Sequence, residues 1–220
     1  MNKIKNLFQR YSELKTHKVF YLQLGLGVLF LVVSLFFNYA ANTYTAASDN
    51  TVVRDIILDN IPAIRVDGIF FEGVIMLVAF IALLGLASPK RIPFLLKSIA
   101  VFVAVRSFFL VLTHLAPPVH PVLVPSNNFL ERLASGSGSD LFFSGHTGLP
   151  FLMAMLFWRN KYLRVIFLCA SVFFGATVLL GHLHYSIDVF SAFFITYGIY
   201  RISMRIFPSD YKFFESSLKP

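Results

Sequence analysis

From Val19 to about Tyr39 the chain carries no charged residue. At ~1.5 Å per residue such a run is long enough as a helix to cross the ~30 Å hydrocarbon core of a bilayer, where every backbone polar group has to be satisfied within the chain. Further apolar runs follow at Ile69 to Leu86, Phe94 to Leu115, Val165 to Leu180 and about Tyr185 to Ile206. Another either begins near Asp140 with a kink at Pro150, or begins with Pro150 in its first turn, and closes at Trp158. With 57% of residues hydrophobic, 14% charged and a mean hydropathy of +0.72, the composition lies outside the range of soluble domains. The expected fold is all-α, an integral membrane bundle of six transmembrane helices. Residues 1–18 form a cytoplasmic basic arm, 19–207 the membrane domain and 208–220 a cytoplasmic tail. The first run is too long for a signal-peptide core and has no evident cleavage site, so it is expected to stay as a signal anchor.

A net charge of +8 would suggest nucleic acid in a soluble protein. Here the basic residues lie between apolar runs, so they set topology, and no nucleic-acid partner is expected. Assigning alternate segments to alternate sides puts fifteen of the nineteen Lys and Arg on inner segments; Arg54, Arg65, Arg106 and Arg132 are outer. This asymmetry predicts cytoplasmic termini. It also predicts that two histidine-bearing stretches, Ser144 to Gly148 and His184 to Asp188, share the extracytoplasmic face. Cys169, the single cysteine, excludes an intrachain disulfide.

His184 and Asp188 are four residues apart at a helix start, so they share a face. A carboxylate there can accept the imidazole N–H, fix the tautomer and leave the other nitrogen as a nucleophile. His146 is the second histidine, suited to protonating a leaving alkoxide. Ser144, Gly145 and Thr147 offer hydroxyls and backbone N–H groups at a helix N-terminus, a favourable place for phosphate.

Arg106 falls inside an apolar run. An arginine there costs roughly 3 kcal/mol at a helix centre, so it is expected to face a partner or a watery cavity. It either supplies a cation to phosphoryl transfer or forms a structural ion pair, with Glu72 the nearest candidate. A zinc site from His182, His184, Asp188 and His146 is a further possibility, but the histidine scheme needs no metal and none is expected. The stretch 116–139, rich in Pro, Ser, Asn and Gly, reads as a connector that delivers the chain to His146. His17, His114 and His120 read as interfacial or loop residues.

Ser144-Gly145-His146-Thr147 and His184-Tyr185-Ser186-Ile187-Asp188-Val189 together resemble the two catalytic motifs of the type-2 phosphatidic acid phosphatase superfamily, and specifically its sphingomyelin-synthase-like branch. Asp140, four residues before Ser144, and Arg106, followed by Leu115 and Pro117-Pro118, extend the similarity. The resemblance implies a six-helix core, an extracytoplasmic or lumenal site, His184 as nucleophile positioned by Asp188, His146 as acid, and no cofactor. Ser144, Gly145, Thr147, Arg106, Tyr185 and Asp140 make up the expected substrate- and phosphate-binding set. The chain departs from the ordinary phosphatase pattern in having Val178 where an arginine precedes the nucleophile by six residues, and in lacking Lys-x6-Arg-Pro. The expected activity is therefore headgroup transfer from a membrane phospholipid donor to a lipid hydroxyl, ceramide or diacylglycerol. The alternatives are release of inorganic phosphate with water as acceptor, and a non-catalytic lipid-binding or transport protein. An inner or plasma membrane is the expected location.

Overall fold

The structure, a computed structural model, describes residues 18–118 and 141–218. The basic arm before Lys18 lies outside the described residues, as do Asp140, His120 and Arg132. Among the described residues there are seven α-helices: α1 (Lys18–Ala46), α2 (Asp67–Leu86), α3 (Ile92–Leu112), α4 (Gly145–Leu156), α5 (Lys161–Leu180), α6 (Ser186–Ile206) and α7 (Pro208–Ser216). Two 3-10 turns, Leu58–Asn60 and Pro89–Arg91, punctuate the connections, and no strand is present among the described residues.

Local chemistry sets the helix starts. Asp67 places a carboxylate in the first turn of α2, where the helix dipole favours it. Pro93 occupies the first turn of α3, where a missing N–H costs nothing. Asn160 caps α5 by accepting the Leu163 N–H at 3.1 Å.

Four helices are long and apolar enough to span a membrane: α1, α2, α3 with its preceding turn, and α5. The other two expected spans differ in kind. α4 has only 12 residues, about 18 Å at ~1.5 Å per residue, and α6, though 21 residues long, carries Asp188, Arg201 and Arg205. α4 follows neither of the two starts expected for it. It begins at Gly145 behind a Ser144 cap, and Pro150 lies inside it.

α4 is the most enclosed element, with Leu152, Met153 and Ala154 fully buried, and it packs against α5 and α6. α1 packs along α3 and leaves Phe36, Phe37 and Tyr39 exposed, as a lipid-facing helix does. α2 buries one stripe only, Phe70, Phe71, Leu77, Ile81 and Gly85, and so stands at the periphery.

One end of the bundle is closed by C-terminal residues. The segment expected to be a tail contains α7, which tucks Phe214 between Phe94 and Phe157. Asp210 of α7 meets Lys97 at 2.7 Å, both almost fully buried, and Lys97 also donates to Gln23 of α1. Trp158 and Arg164 stack at 4.8 Å beside this end, as interfacial residues do.

The opposite end is knitted by loops. Thr51 exchanges backbone hydrogen bonds with His114 and Ala116 at 3.1 and 3.0 Å. The Ile64 N–H donates to the Leu180 carbonyl at 2.8 Å. Both histidine-bearing stretches lie at this end.

Candidate active site

Ser144 starts the arrangement. Its hydroxyl accepts the Thr147 N–H at 3.4 Å and the Thr147 hydroxyl at 3.3 Å, and its own N–H donates to the backbone carbonyl of Asp188 at 3.1 Å. The N-termini of α4 and α6 are thus fastened to each other. Ser144 and Thr147 are fully buried, and their hydroxyls face one another across the cap. Gly148 lets α4 lie close to α3 and α6, because a Cβ there would lie 2.8 Å from the Phe102 ring and 2.9 Å from Thr196 Oγ1.

His184 is buried, and its Nδ1 lies 2.8 Å from the Leu141 carbonyl. A carbonyl can only accept, so the proton sits on Nδ1 and the lone pair of the neutral ring is on Nε2. Asp188 Oδ2 is 3.5 Å from the same Nδ1 and accepts the Tyr185 N–H at 2.9 Å. The hydrogen-bond partner of Nδ1 is thus a backbone carbonyl that sequence reasoning missed, with the carboxylate expected to orient the ring standing beside it. Asp188 is fully buried and its Oδ1 has no hydrogen-bond partner.

His146 is the second residue of α4, and its ring stacks on Phe70 with centroids 4.0 Å apart and planes inclined by 22°. Phe174 presents an edge to it at 6.3 Å. His146 Nε2 is buried without a hydrogen-bond partner, and His184 and Arg106 both lie within Coulombic reach of this ring. Pro150 lacks the N–H that would bond the His146 carbonyl one turn back.

Arg106 is buried and donates from Nε to the Phe143 carbonyl at 3.0 Å, whereas Glu72 is exposed. A Cβ on Gly145 would lie 3.4 Å from Arg106 Nε and 3.8 Å from Cζ. The guanidinium group accordingly rests against the first turn of α4, beside His146.

Tyr185 is almost fully buried; its hydroxyl donates to the Ala116 carbonyl at 2.9 Å and accepts the Val53 N–H at 3.3 Å. This is an anchoring arrangement that holds the loops over the start of α6.

Asp55, which sequence reasoning passed over, completes that anchor. Its Oδ2 accepts the Ser186 N–H at 2.6 Å, and Oδ1 accepts those of Ile57 and Leu58 at 2.9 and 3.2 Å. The run Asp55-Ile56-Ile57-Leu58 contains the signal of an Asx turn, but nothing in it names Ser186 as partner. Burial by itself would raise the Asp55 carboxyl; the donors of Ser186, Leu58 and Ile57 outweigh it and hold the group below its usual value.

His182 Nε2 lies 3.2 Å from the Ile61 carbonyl, and its backbone is left-handed, with φ of 51°, so it shapes the turn into His184. Among the described residues no group of three or more His, Cys, Asp or Glu is assembled to hold a metal ion. The expected phosphate-binding residue Asp140 lies outside the described residues.

The fold and site define a helical membrane protein with a buried histidine, a half-buried histidine and a carboxylate gathered at one end of its bundle. Residues 138–205 match the family described as PAP2 superfamily C-terminal, a stretch that contains α4, α5 and nearly all of α6 and both motifs. The match supports the superfamily that the motifs resemble, whose activity is of the lipid phosphatase and phosphotransferase kind. No curated protein and no solved structure matches the chain.

Proposed function

We propose that this chain is an integral-membrane enzyme that transfers a phosphate-bearing headgroup between lipids through a phosphohistidine at His184. The observation that carries the reading is the tautomer of His184: with Nδ1–H directed at the Leu141 carbonyl at 2.8 Å, Nε2 is left as the nucleophilic nitrogen. Attack of Nε2 on phosphorus forms a P–N bond, breaks the bond to the donor lipid's alcohol oxygen and leaves a positive imidazolium. Asp188, 3.5 Å from Nδ1, stabilises that charge. His146 gives its Nε2 proton to the departing alkoxide, and then takes a proton from the hydroxyl that attacks phosphorus in the second step and releases His184. Arg106 against the first turn of α4 supplies positive charge near the phosphoryl oxygens. Asp140, Ser144, Gly145, Thr147 and Tyr185 complete the substrate-binding set, with Ser144, Thr147 and Tyr185 contributing by fixing backbone N–H groups.

The favoured acceptor is a lipid hydroxyl, ceramide or diacylglycerol, as in the sphingomyelin-synthase-like branch. That preference rests on Val178 in place of the phosphatase arginine and on the absence of Lys-x6-Arg-Pro. The proposed setting is a six-span arrangement in the inner or plasma membrane with cytoplasmic termini and the site on the extracytoplasmic face. The test is incubation of purified protein with labelled phosphatidylcholine, phosphatidylethanolamine and phosphatidic acid, with and without ceramide or diacylglycerol. A new headgroup-bearing lipid supports transfer. Free phosphate establishes the phosphatase alternative, and no turnover of any substrate leaves the lipid-binding or transport alternative.

A further inference from the structure

One face of the His146 ring, the acid of the proposed reaction, is covered by α2. α2 exposes Ile69, Ile75, Met76, Val78 and Leu83 on its outer face, while Phe70 on its inner stripe lies flat on the His146 ring at 4.0 Å. Two glycines bring the helix this close. One turn beyond Phe70, a Cβ on Gly73 would lie 2.7 Å from the Phe174 ring, and a Cβ on Gly181 would lie 2.5 Å from Val66 just before α2 begins. A larger residue at either point forces its neighbour, the Phe174 ring or the Val66 side chain, to shift. The cover therefore depends on backbone approach, and Phe70 is the side chain that this approach presses onto the imidazole. Beneath it, His146 Nε2 is buried with no hydrogen-bond partner, a polar atom whose natural complement is a group brought in by substrate.

We infer that Phe70 is a specificity-determining residue: its ring bounds the space beside His146 Nε2 and so limits the bulk of the alcohol that leaves from phosphorus. The inference rests on the role of His146 as the acid for that leaving group. A phosphate ester whose leaving oxygen meets Nε2 is brought beside the Phe70 ring that stacks on the same imidazole. Removing the ring widens the space and frees the imidazole face, while an aliphatic side chain of intermediate size keeps α2 seated but gives up the flat contact.

The test uses the full chain in lipid nanodiscs, comparing wild type with Phe70→Ala, Phe70→Leu and Phe70→Trp. Carbethoxylation of His146 by diethyl pyrocarbonate, followed by mass spectrometry, reports on the cover without requiring turnover. At least fivefold faster modification is expected in Phe70→Ala, an intermediate rate in Phe70→Leu and no acceleration in Phe70→Trp. In parallel, kcat/KM is measured for phosphate esters with a compact alcohol and with a diacylglycerol alcohol. Phe70→Ala is expected to raise the bulky-to-compact ratio at least fivefold, and Phe70→Trp to lower it. Wild-type turnover with a ratio unchanged in all three variants overturns the assignment, as does a modification rate unchanged in both Phe70→Ala and Phe70→Leu. A wild type inert toward every phosphate ester overturns the underlying functional reading instead.

Discussion

The carboxylate of Asp55 and the backbone N–H of Ser186 meet at 2.6 Å, tying the loop after α1 to the first residue of the helix that carries Asp188. Because the Asp55 carboxyl is held below its usual value despite its burial, its contribution to stability is complete above the unfolded-state value near ~3.9 and is lost as pH falls through the lower folded-state value. Asp55→Asn should therefore lower the unfolding temperature at pH 6, and its deficit relative to wild type should shrink below about pH 4. Thermal unfolding of both proteins across that range checks this; a deficit that stays constant would show that the charge does not matter.

Fixing the His184 tautomer through Leu141 makes the two motif residues unequal. His184→Ala should leave less than about a thousandth of wild-type turnover, whereas Asp188→Asn, with the carbonyl still holding Nδ1–H, should cost about a hundredfold in kcat. Steady-state kinetics on one phospholipid substrate separates the cases. Equal losses would mean that the carboxylate alone orients the ring.

Lys97 and Asp210 are a buried pair, so removing one partner leaves the other uncompensated. Asp210→Ala should destabilise the protein by about 3–5 kcal/mol, and pairing it with Lys97→Met should recover most of that loss. Denaturation in detergent would measure both. A double variant no better than the single one would argue that the shape of the contact, and not its charge, is what holds α7.

The two ends of the bundle carry separate exposed positions for labelling. In a Cys169→Ala background, Asp49→Cys at the loop end and Ser209→Cys in α7 should react with a membrane-impermeant thiol reagent on opposite sides of sealed vesicles. Labelling of both from the same side would refute the proposed orientation.

Helix ends set by apolar runs were legible: α2, α5 and α6 stop at Leu86, Leu180 and Ile206, where the runs give way to polar or turn residues. Helix starts were less so, because the first turn includes polar residues: Asp67, which the helix dipole favours there, and Lys161, which follows the Asn160 cap. Pro150 misled in a specific way, since its ring looks like a boundary while the Ser144 cap six residues earlier makes it an interior position. Lys97 reads as one more inner-face charge until Asp210 folds back to meet it. The pairing of histidine motifs was legible because each carries polar residues against an apolar background. Phe70 could not be singled out among 26 phenylalanines, since only the approach of α2 to α4 and α5 gives it a special neighbour.

Ser144 reaches Asp188 through backbone atoms, and Ser171 of α5 donates to the Thr147 carbonyl at 2.7 Å. Three helices are thereby welded around the histidines, α1 is packed along α3, and α2 is attached by narrower seams. When the surrounding bilayer thins or thickens, α2 is the helix with the least packing to give up in tilting, and the backbone bonds between α4, α5 and α6 hold the two imidazoles to one frame.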